Sequence, residues 1–528
     1  MIQDHCLIRL LPYHPQVWVS RAATFLALGY GELATADAYK AHLLCCAASV
    51  EELKVREPSD GSLTAKVFST ILSKLPQAEH ESLEAYYLVI FSTIQRMHER
   101  AYLVMAHGLL SISAWDDALA VLQEAITAFP ENEEFQILRR RWKKEARRLK
   151  DHLQIQGKND ETIDRIMKTG QLERVAYPWI GAKELERSVK SMKKVNAQFE
   201  AASENACIQR SSLDGASTRD GAREENFGVF AKCDIQQGET ILFTKSIWTD
   251  YKTRVGDNCC SACCDSVPEK LAIKMTCCTS TFCSEVCKQE AIDTYHDVMC
   301  GKDFRWLYIA CTEGDQVYSD KVPLMMVKIL ATAIHLNCKP LKVPCVRTLK
   351  ANYDNVSLSR FTLFDNITTP IQILETLGVD VFTNLKFDSW AIQTVITRIE
   401  NNRVGKKTLS NQEYSTVDPL FCMFNHSCMP SAAFHFLGGS TETRVKAIRD
   451  IKKGEEICVS YIEPRLPESV RRDKIWRRIG RVCDCLRCRR EREAEERQRI
   501  SKEREAEHMQ RFLRQMRDIK RGMWNVGR

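Results

Sequence analysis

The spacing of apolar and polar positions separates a helical part of the chain from a β part. The first 130 or so residues have the pattern of amphipathic helices. From Asn226, the stretch FGVFAKCDIQQGETILFTKSIW alternates apolar and polar positions around a Gln-Gly turn and predicts a β-hairpin. Residues 301–400 are predicted to be helical again, and residues 419–462 to form short strands.

Two stretches of the helical part fit the tetratricopeptide (TPR) pattern, in which small residues let paired helices approach closely. The proline that ends WDDALAVLQEAITAFP also terminates its helix. The positions that carry the pattern are Trp18, Ala22, Phe25, Ala34, Ala38 and Ala41 in the first stretch, and Ala118, Leu122, Ala125 and Pro130 in the second. An ordinary helical hairpin explains each stretch alone, but two matches favour a repeat. Their irregular spacing indicates an insertion between them.

Two charged segments are predicted to face solvent. Residues 139–150 (RRRWKKEARRLK) form a basic run that is typical of a solvated helix face. Residues 151–205 are polar and mixed, which indicates a linker with a helix. After Cys488 the chain is dense in charges of both signs and predicts a solubilising helix or a disordered tail.

The composition predicts a multidomain protein of a reducing compartment. A chain of 528 residues is too long for one apolar core and predicts two to four domains. Its net charge of +7 is small for this length, so we expect neither nucleic acid nor a membrane surface as partner. The chain contains no apolar run of the roughly 18 residues that span a bilayer. Its first residues lack the pattern of a secretion signal, so we expect residence in cytoplasm, nucleus or both.

Many of the 23 cysteines lie in two short segments. In a reducing compartment, clustered cysteines are more often zinc ligands than disulfide partners. Spacings of two to four residues, and one His-Cys pair on one helical face, suit tetrahedral zinc. The eight candidate ligands, enough for two ions, are Cys260, Cys263, Cys277, Cys278, Cys283, Cys287, His296 and Cys300. Cys259 and Cys264 are alternatives in the first pair, and one of the adjacent Cys277 and Cys278 is a candidate for displacement.

Three further motifs follow this cysteine block. They are FNHSCMPSA with Asn425, His426 and Cys428, GEEICVSYIEP with Tyr461, and CDCLRC with Cys483, Cys485 and Cys488. Each alone has an ordinary explanation, such as a core histidine, a hairpin turn or an isolated metal clip. In this order they resemble the SET-and-MYND (SMYD) family of protein-lysine methyltransferases, in its TPR-bearing branch. The resemblance covers roughly residues 206–488.

This resemblance implies an α+β fold. An all-β SET domain with a pseudoknot would be split by a zinc-binding MYND finger and preceded by an α-helical TPR-like region. The expected segments are 1–135 (TPR-like helices), 136–205 (linker and helix), 206–258 (first SET part), 259–300 (MYND finger), 301–400 (helical SET insert), 401–462 (second SET part), 463–488 (post-SET zinc clip) and 489–528 (charged helix or tail).

The resemblance also implies a reaction and its ligands. The chain would transfer a methyl group from S-adenosylmethionine to a lysine of a protein substrate, histone or other, with Tyr461 as the catalytic residue. Cofactor contacts would come from Phe227, Gly228, Asn402, Asn425 and His426. Three zinc ions are expected. Two would be cross-braced in the finger: the first and third ligand pairs would bind one ion, and the second and fourth pairs the other. The third ion would be bound by Cys428, Cys483, Cys485 and Cys488.

Three positions depart from the family pattern. Asn226 stands at a loop position that usually has glycine, Ser431 replaces an asparagine, and Val482 replaces an aromatic residue in the wall of the substrate channel. The alternative to an enzyme is a non-catalytic adaptor whose finger and TPR-like helices bind peptide partners. A DNA-binding zinc cofactor is a third candidate, disfavoured because the finger lacks a dense basic face. Retention of Tyr461, Asn425 and His426 favours the enzyme, since a relic would tolerate their loss.

Overall fold

Helices form the N-terminal third of the protein, and the rest of the described chain combines short strands with further helices. The computed structural model describes residues 2–48, 61–74, 83–181, 184, 187–213, 226–251, 259–312, 322–350, 353, 358–407, 413–436, 442–479 and 482–525. Its helices are α1 (Ile2–Leu10), α2 (Pro15–Ala27), α3 (Gly31–Ala47), α4 (Leu63–Leu72), α5 (Leu83–Ser111), α6 (Trp115–Ala128), α7 (Glu133–Ile155), α8 (Asp160–Lys168), α9 (Val189–Ala202), α10 (Glu285–Ile292), α11 (His296–Met299), α12 (Arg305–Thr312), α13 (Val322–His335), α14 (Pro344–Thr348), α15 (Thr369–Thr376), α16 (Ser389–Asn402), α17 (Glu468–Ile479) and α18 (Leu486–Asn525). Shorter 3-10 turns lie at Glu269–Leu271, Pro340–Lys342, Leu385–Phe387 and Phe421–Met423, and a π-helix lies at Phe364–Thr368.

The described strands form five small sheets. They are β1 (Gly170–Glu173), β2 (Ala206–Arg210), β3 (Phe227–Ala231), β4 (Thr240–Thr244), β5 (Thr249–Tyr251), β6 (Ile273–Lys274), β7 (Thr281–Phe282), β8 (Leu358–Phe361), β9 (Val404–Lys407), β10 (Glu413–Thr416), β11 (Asn425–His426), β12 (Ala432–Phe436), β13 (Thr443–Ala447) and β14 (Glu456–Val459). The strand orders are β11-β14-β3-β2, β12-β13-β4, β5-β10-β9, β1-β8 and β6-β7. Within the first sheet β11 runs parallel to β14, and the other neighbours are antiparallel.

The N-terminal helices pack closely against one another, which confirms the predicted helical region. Helix α3 packs against both α2 and α5, and α5 packs against α6. The backbones of α3 and α5 approach closely at two glycines, because a Cβ on Gly31 would lie 2.7 Å from the carbonyl oxygen of Gly108. Both TPR-like stretches belong to these helices, and their repeat character stays a prediction.

A buried ion network joins the N-terminal helices to α16. The guanidinium of Arg21 on α2 donates to Asp37 on α3 through Nε (2.6 Å) and Nη2 (2.9 Å). It also donates to both carboxylate oxygens of Asp388, at 2.8 Å each. Asp388 is the N-cap of α16 and accepts from the backbone N–H of Ser389 at 2.9 Å. The start of α16 is therefore positioned by Arg21, which lies 367 positions before Asp388 in the chain.

The predicted hairpin after Asn226 is wrong in its pairing. β3 pairs with β2 and β14, whereas β4 pairs with β13 in a different sheet. Since both edges of β3 are occupied, β4 has no free edge there, and a bridge between Ile235 and Ile451 redirects the chain before β4. The Gln-Gly turn itself is present, with Gly238 at a φ of 90°, in the left-handed region that favours glycine.

Other boundaries also differ from those expected. The linker segment contributes β1, and the helical segment 301–400 contributes β8, which pairs with β1 from Gly170↔Phe361 to Glu173↔Leu358. Four-residue strands with alternating burial are too short to stand out against the surrounding helical pattern. Helix α7 crosses the expected boundary at residue 135, and α18 begins before Cys488 and continues to Asn525 in place of a disordered tail.

Two large apolar cores contain most of the buried apolar residues that the structure describes. The larger core packs the N-terminal helices against α13 and α16, through residues such as Trp18, Leu330 and Ile399. The smaller lies between the four-stranded sheet and the sheet of β4 and β13, and it contains Val229 and Val445. No helix in the described part of the chain combines a membrane-spanning length with a sufficiently apolar sequence.

Candidate functional site

A cavity of about 950 Å³ lies between the four-stranded sheet, the end of α16 and the segment with the last cysteines. Four of the six predicted active-site residues line it, namely Asn402, Asn425, His426 and Tyr461. The other two, Phe227 and Gly228, lie on β3 behind Asn425, whose Nδ2 donates to the carbonyl oxygen of Phe227 at 3.1 Å. The structure thus brings together residues from four separate segments of the sequence.

The amide of Asn425 is held by a carboxylate that the sequence did not single out. Its Nδ2 donates to Oε1 of Glu456 at 2.7 Å, and Ser211 Oγ donates to the other oxygen of that carboxylate at 2.8 Å. A Cβ at position 228 would overlap the Glu456 carboxylate and lie 2.8 Å from Asn425 Nδ2. Glycine is therefore required at 228 for this arrangement. Glu456 belongs to the motif GEEICVSYIEP, but only the sheet pairing shows its role.

His426 connects β11 to the backbone of Tyr461 and to a cysteine. Its Nδ1 accepts from the N–H of Tyr461 at 3.0 Å, and its Nε2 lies 3.3 Å from Cys428 Sγ. Burial lowers the pKa of His426 to about 4, so the ring is neutral near pH 7. Because Nδ1 is the acceptor, the proton is assigned to Nε2, which donates to the sulfur.

The hydroxyl of Tyr461 is protonated and held in one position. It donates to the carbonyl oxygen of Phe424 at 2.6 Å, and burial raises the pKa of Tyr461 well above its usual range. The guanidinium of Arg478 lies 5.5 Å from the centre of its ring. Asn402 is fixed nearby, since its Nδ2 donates to the carbonyl oxygens of Lys350 (2.7 Å) and Arg398 (2.8 Å).

Two of the residues that depart from the family pattern, Asn226 and Ser431, form hydrogen bonds with neighbouring groups in the structure. Asn226 accepts from Nη2 of Arg187 at 3.1 Å and donates to the carbonyl oxygen of Leu213 at 3.2 Å. Arg187 is 5% exposed and lines the cavity, so Asn226 positions a buried cation at its edge. Ser431 Oγ accepts from the N–H of Cys458 at 3.1 Å and so fixes β14. Arg187 was missed because it lies in a polar stretch without a motif.

Cysteine and histidine side chains form three groups of four whose ligand atoms all lie within 4.8 Å of one another. Their members are Cys260, Cys263, Cys283 and Cys287, then Cys277, Cys278, His296 and Cys300, and then Cys428, Cys483, Cys485 and Cys488. In the first group, Cys283 Sγ lies 3.6 Å from the sulfurs of both Cys263 and Cys287. Tetrahedral zinc with Zn–S bonds of about 2.3 Å separates its sulfur ligands by about 3.8 Å. The residues therefore fit zinc.

The geometry also separates the alternatives that the spacing left open. Cys277 Sγ lies 3.3 Å from His296 Nε2, and Cys278 Sγ lies 3.8 Å from the same atom. Both adjacent cysteines therefore belong to the same ligand group as His296. Cys264 instead donates to the carbonyl oxygen of Thr249 at 3.1 Å, and Cys259 forms a backbone bridge with Ser266. Neither belongs to a group of four.

Buried and half-buried cations hold the cysteine groups in place. Nζ of Lys328 on α13 is buried and donates to the carbonyl oxygens of Ile247, Thr249 and Ala262. Nζ of Lys245 donates to Asp265 at 2.6 Å and approaches Cys283 Sγ to 3.6 Å. A nearby cation favours the thiolate form that binds a metal.

Comparison with known proteins agrees with this geometry. The sequence profile of the SET domain matches residues 226–462, which enclose the first two cysteine groups as well as Asn425, His426 and Tyr461. A stretch of 80 residues is 36% identical to "SET domain and MYND-type zinc finger protein 6" of Schizosaccharomyces pombe, covering 15% of this chain and 16% of that protein. The chain contains a region that matches the SET domain and is similar to proteins of the SET-and-MYND family. These matches agree with the resemblance that the motifs indicated.

Two further relatives of the family show how far the similarity extends. "N-lysine methyltransferase SMYD2" of Gallus gallus is 32% identical over 88 residues, or 17% of this chain and 20% of that protein. "SET domain-containing protein SmydA-8, isoform A" of Drosophila melanogaster is 24% identical over 49% of this chain and 53% of its own length. Each match covers less than two thirds of the relative.

Proposed function

We propose that this chain is an S-adenosylmethionine-dependent protein-lysine N-methyltransferase, with a histone or another protein as substrate. The convergence of Asn402, Asn425, His426 and Tyr461 on one cavity carries the proposal, because these are the residues to which the family resemblance assigns cofactor binding and catalysis. A relative named as an N-lysine methyltransferase supports it.

The cavity suits a zwitterionic cofactor. Its volume of about 950 Å³ is in the range of small-molecule sites. The buried guanidinium of Arg187 offers a positive charge for a carboxylate, and Asn402 and Asn425 present amides held by neighbouring groups. When bound, S-adenosylmethionine supplies an electrophilic methyl group on a sulfonium. The protein's task is then to hold the accepting amine in line with that group.

Tyr461 and Arg478 act on the accepting amine. The oxygen of the protonated Tyr461 hydroxyl can accept a hydrogen bond from the substrate's amine N–H and so orient the nitrogen lone pair. Only the neutral amine is a nucleophile. The guanidinium of Arg478, 5.5 Å from the centre of the Tyr461 ring, places a positive charge beside the ring and would disfavour protonation of an amine bound there.

The three cysteine groups act in the proposal as structural zinc sites. The first two would form a MYND finger inserted into the SET domain. The third would form a post-SET clip that joins the segment 483–488 to Cys428, two residues after β11. The parallel pairing of β11 with β14 supports a pseudoknot at the cavity. Clustered cysteines stay reduced in a reducing compartment, which agrees with cytoplasm or nucleus. Peptide partners would bind the finger and the TPR-like helices.

Methyl transfer from labelled cofactor tests the proposal. Full-length protein is incubated with methyl-labelled S-adenosylmethionine and a protein lysate, and labelled lysines are identified by mass spectrometry. We expect labelled lysine with the wild type and little with Tyr461→Phe, which keeps the ring and removes the hydroxyl. Binding of S-adenosylmethionine by calorimetry without any labelled lysine would instead favour the adaptor alternative.

A further inference from the structure

A fourth group of metal-binding side chains lies in the N-terminal helices, away from the cysteine groups. His42 and Cys46 lie one turn apart on α3, and His98 lies on α5. Their ligand atoms all lie within 4.8 Å of one another. No motif indicated this group, because His98 is 52 positions from Cys46 and only the crossing of the helices brings them together.

The distances between the three side chains are near those of a metal site. His42 Nδ1 lies 2.8 Å from His98 Nε2, and Cys46 Sγ lies 3.9 Å from each of these nitrogens. Tetrahedral zinc, with Zn–N bonds of about 2.0–2.1 Å and a Zn–S bond of about 2.3 Å, separates two nitrogens by about 3.4 Å and nitrogen from sulfur by about 3.6 Å. Each separation is therefore within about 0.6 Å of the tetrahedral value.

The two imidazoles are held by aromatic neighbours. The Tyr102 ring stacks on His98 with centroids 4.9 Å apart and meets His42 edge-on at 5.0 Å. Phe129 contacts the His98 ring edge-on, at a centroid distance of 5.6 Å. All three candidate ligands are half-buried. The close approach of α3 and α5 at their glycines fixes the two ligand-bearing backbones relative to each other.

We propose that His42, Cys46 and His98 bind a zinc ion that clamps α3 to α5. Two imidazoles and one thiolate are donors for zinc and not for calcium or magnesium, which take oxygen ligands. Binding releases the thiol proton of Cys46 to solvent. Three protein ligands leave the fourth position to water or to a group from a partner. This site is independent of the proposed methyltransferase activity.

The competing explanation is a hydrogen bond between two neutral imidazoles beside a thiol. This hydrogen bond would account for the 2.8 Å separation of the two nitrogens without a metal. The two explanations differ in the zinc content of the purified protein, and this difference can be measured without reference to enzymatic activity.

The test compares zinc content in full-length variants by elemental mass spectrometry after removal of loosely bound metal. His98→Ala should contain one zinc fewer per chain than the wild type. His107→Ala is the matched control, because His107 is a half-buried histidine on the same helix outside the group. It should keep the wild-type content. Equal zinc in wild type and His98→Ala overturns the proposal.

A second variant provides the same test in case His98→Ala does not fold. Cys46→Ser replaces sulfur by oxygen with little change in size and should also lose one zinc. Circular dichroism verifies folding of each variant. If Cys46→Ser keeps the wild-type zinc content, the proposal is wrong even where His98→Ala does not fold.

Discussion

The buried ion network at Arg21 can be tested by removing its guanidinium. Arg21→Met keeps most of the side chain's length and eliminates the group that donates to Asp37 and Asp388. The side chains of Arg21, Asp37 and Asp388 are 2%, 0% and 0% exposed, so water cannot replace the lost bonds. Lys40, whose Nζ is 4.0 Å from Asp388, remains as the nearby cation.

The structure sets the size of the effect. Two cations and two carboxylates balance in the wild type, and four N–H···O bonds of 2.6–2.9 Å join Arg21 to both acids. The variant retains both carboxylates with one cation. Breaking a buried ion pair by removing one partner destabilises the folded state by about 3–5 kcal/mol. In a chain of this size we expect the melting temperature to fall by about 3–5 °C.

The network also predicts a pH dependence. Burial raises the pKa of Asp388, but Arg21, Lys40 and hydrogen bonds outweigh it and lower the pKa to about 2, from an ordinary 3.8. Because the folded pKa is depressed, this group stabilises the wild type above about pH 4, and that contribution is lost as pH falls from about 4 to about 2. Without Arg21, burial dominates and the pKa rises. Lowering the pH from about 7 to about 5 should therefore narrow the gap between variant and wild type.

Calorimetric melting at both pH values measures these effects. The control is Arg141→Met, which removes an exposed ion pair with Glu145 whose side chains are 59% and 38% exposed. It should cost less than about 0.5 kcal/mol. Adding Asp37→Asn to Arg21→Met removes the surplus carboxylate and should recover part of the loss. A melting temperature for Arg21→Met as close to wild type as that of the control would refute the reasoning.

Three predictions concern the site itself. Asn425→Ala removes the bonds to Phe227 and Glu456 and should weaken S-adenosylmethionine binding more than tenfold, about 1.4 kcal/mol, in calorimetry; wild-type affinity would contradict the assignment. Tyr461→Phe loses the bond to Phe424 and should reduce turnover by about 100-fold or more while cofactor affinity is unchanged; unchanged turnover would move the role elsewhere. Cys485→Ser should lower zinc content by one per chain and abolish cofactor binding and methyl transfer, since the third group joins the last cysteines to β11; a variant that loses zinc and still methylates would disprove that link.

Short-range patterns in the sequence identified the candidate metal ligands. The spacings Cys260-x-x-Cys263, Cys283-x-x-x-Cys287 and His296-x-x-x-Cys300 predict pairs of ligands, and the structure keeps each pair in one group. Such pairs are readable because a turn or a single helical face sets the distance between their side chains. The roles of Asn425 and Tyr461 came instead from the resemblance of their motifs to the SET-and-MYND family.

Contacts between distant segments were decided only by the tertiary structure. β3 and β4 carry a hairpin pattern, yet they lie in different sheets because β2 and β14 occupy both edges of β3. Glu456 and Arg187 have their roles through partners far away in the chain, as does His98 beside His42. Local periodicity specifies which face of an element is buried. It does not specify which other element covers that face, because this choice depends on free strand edges and on the packing of the whole core.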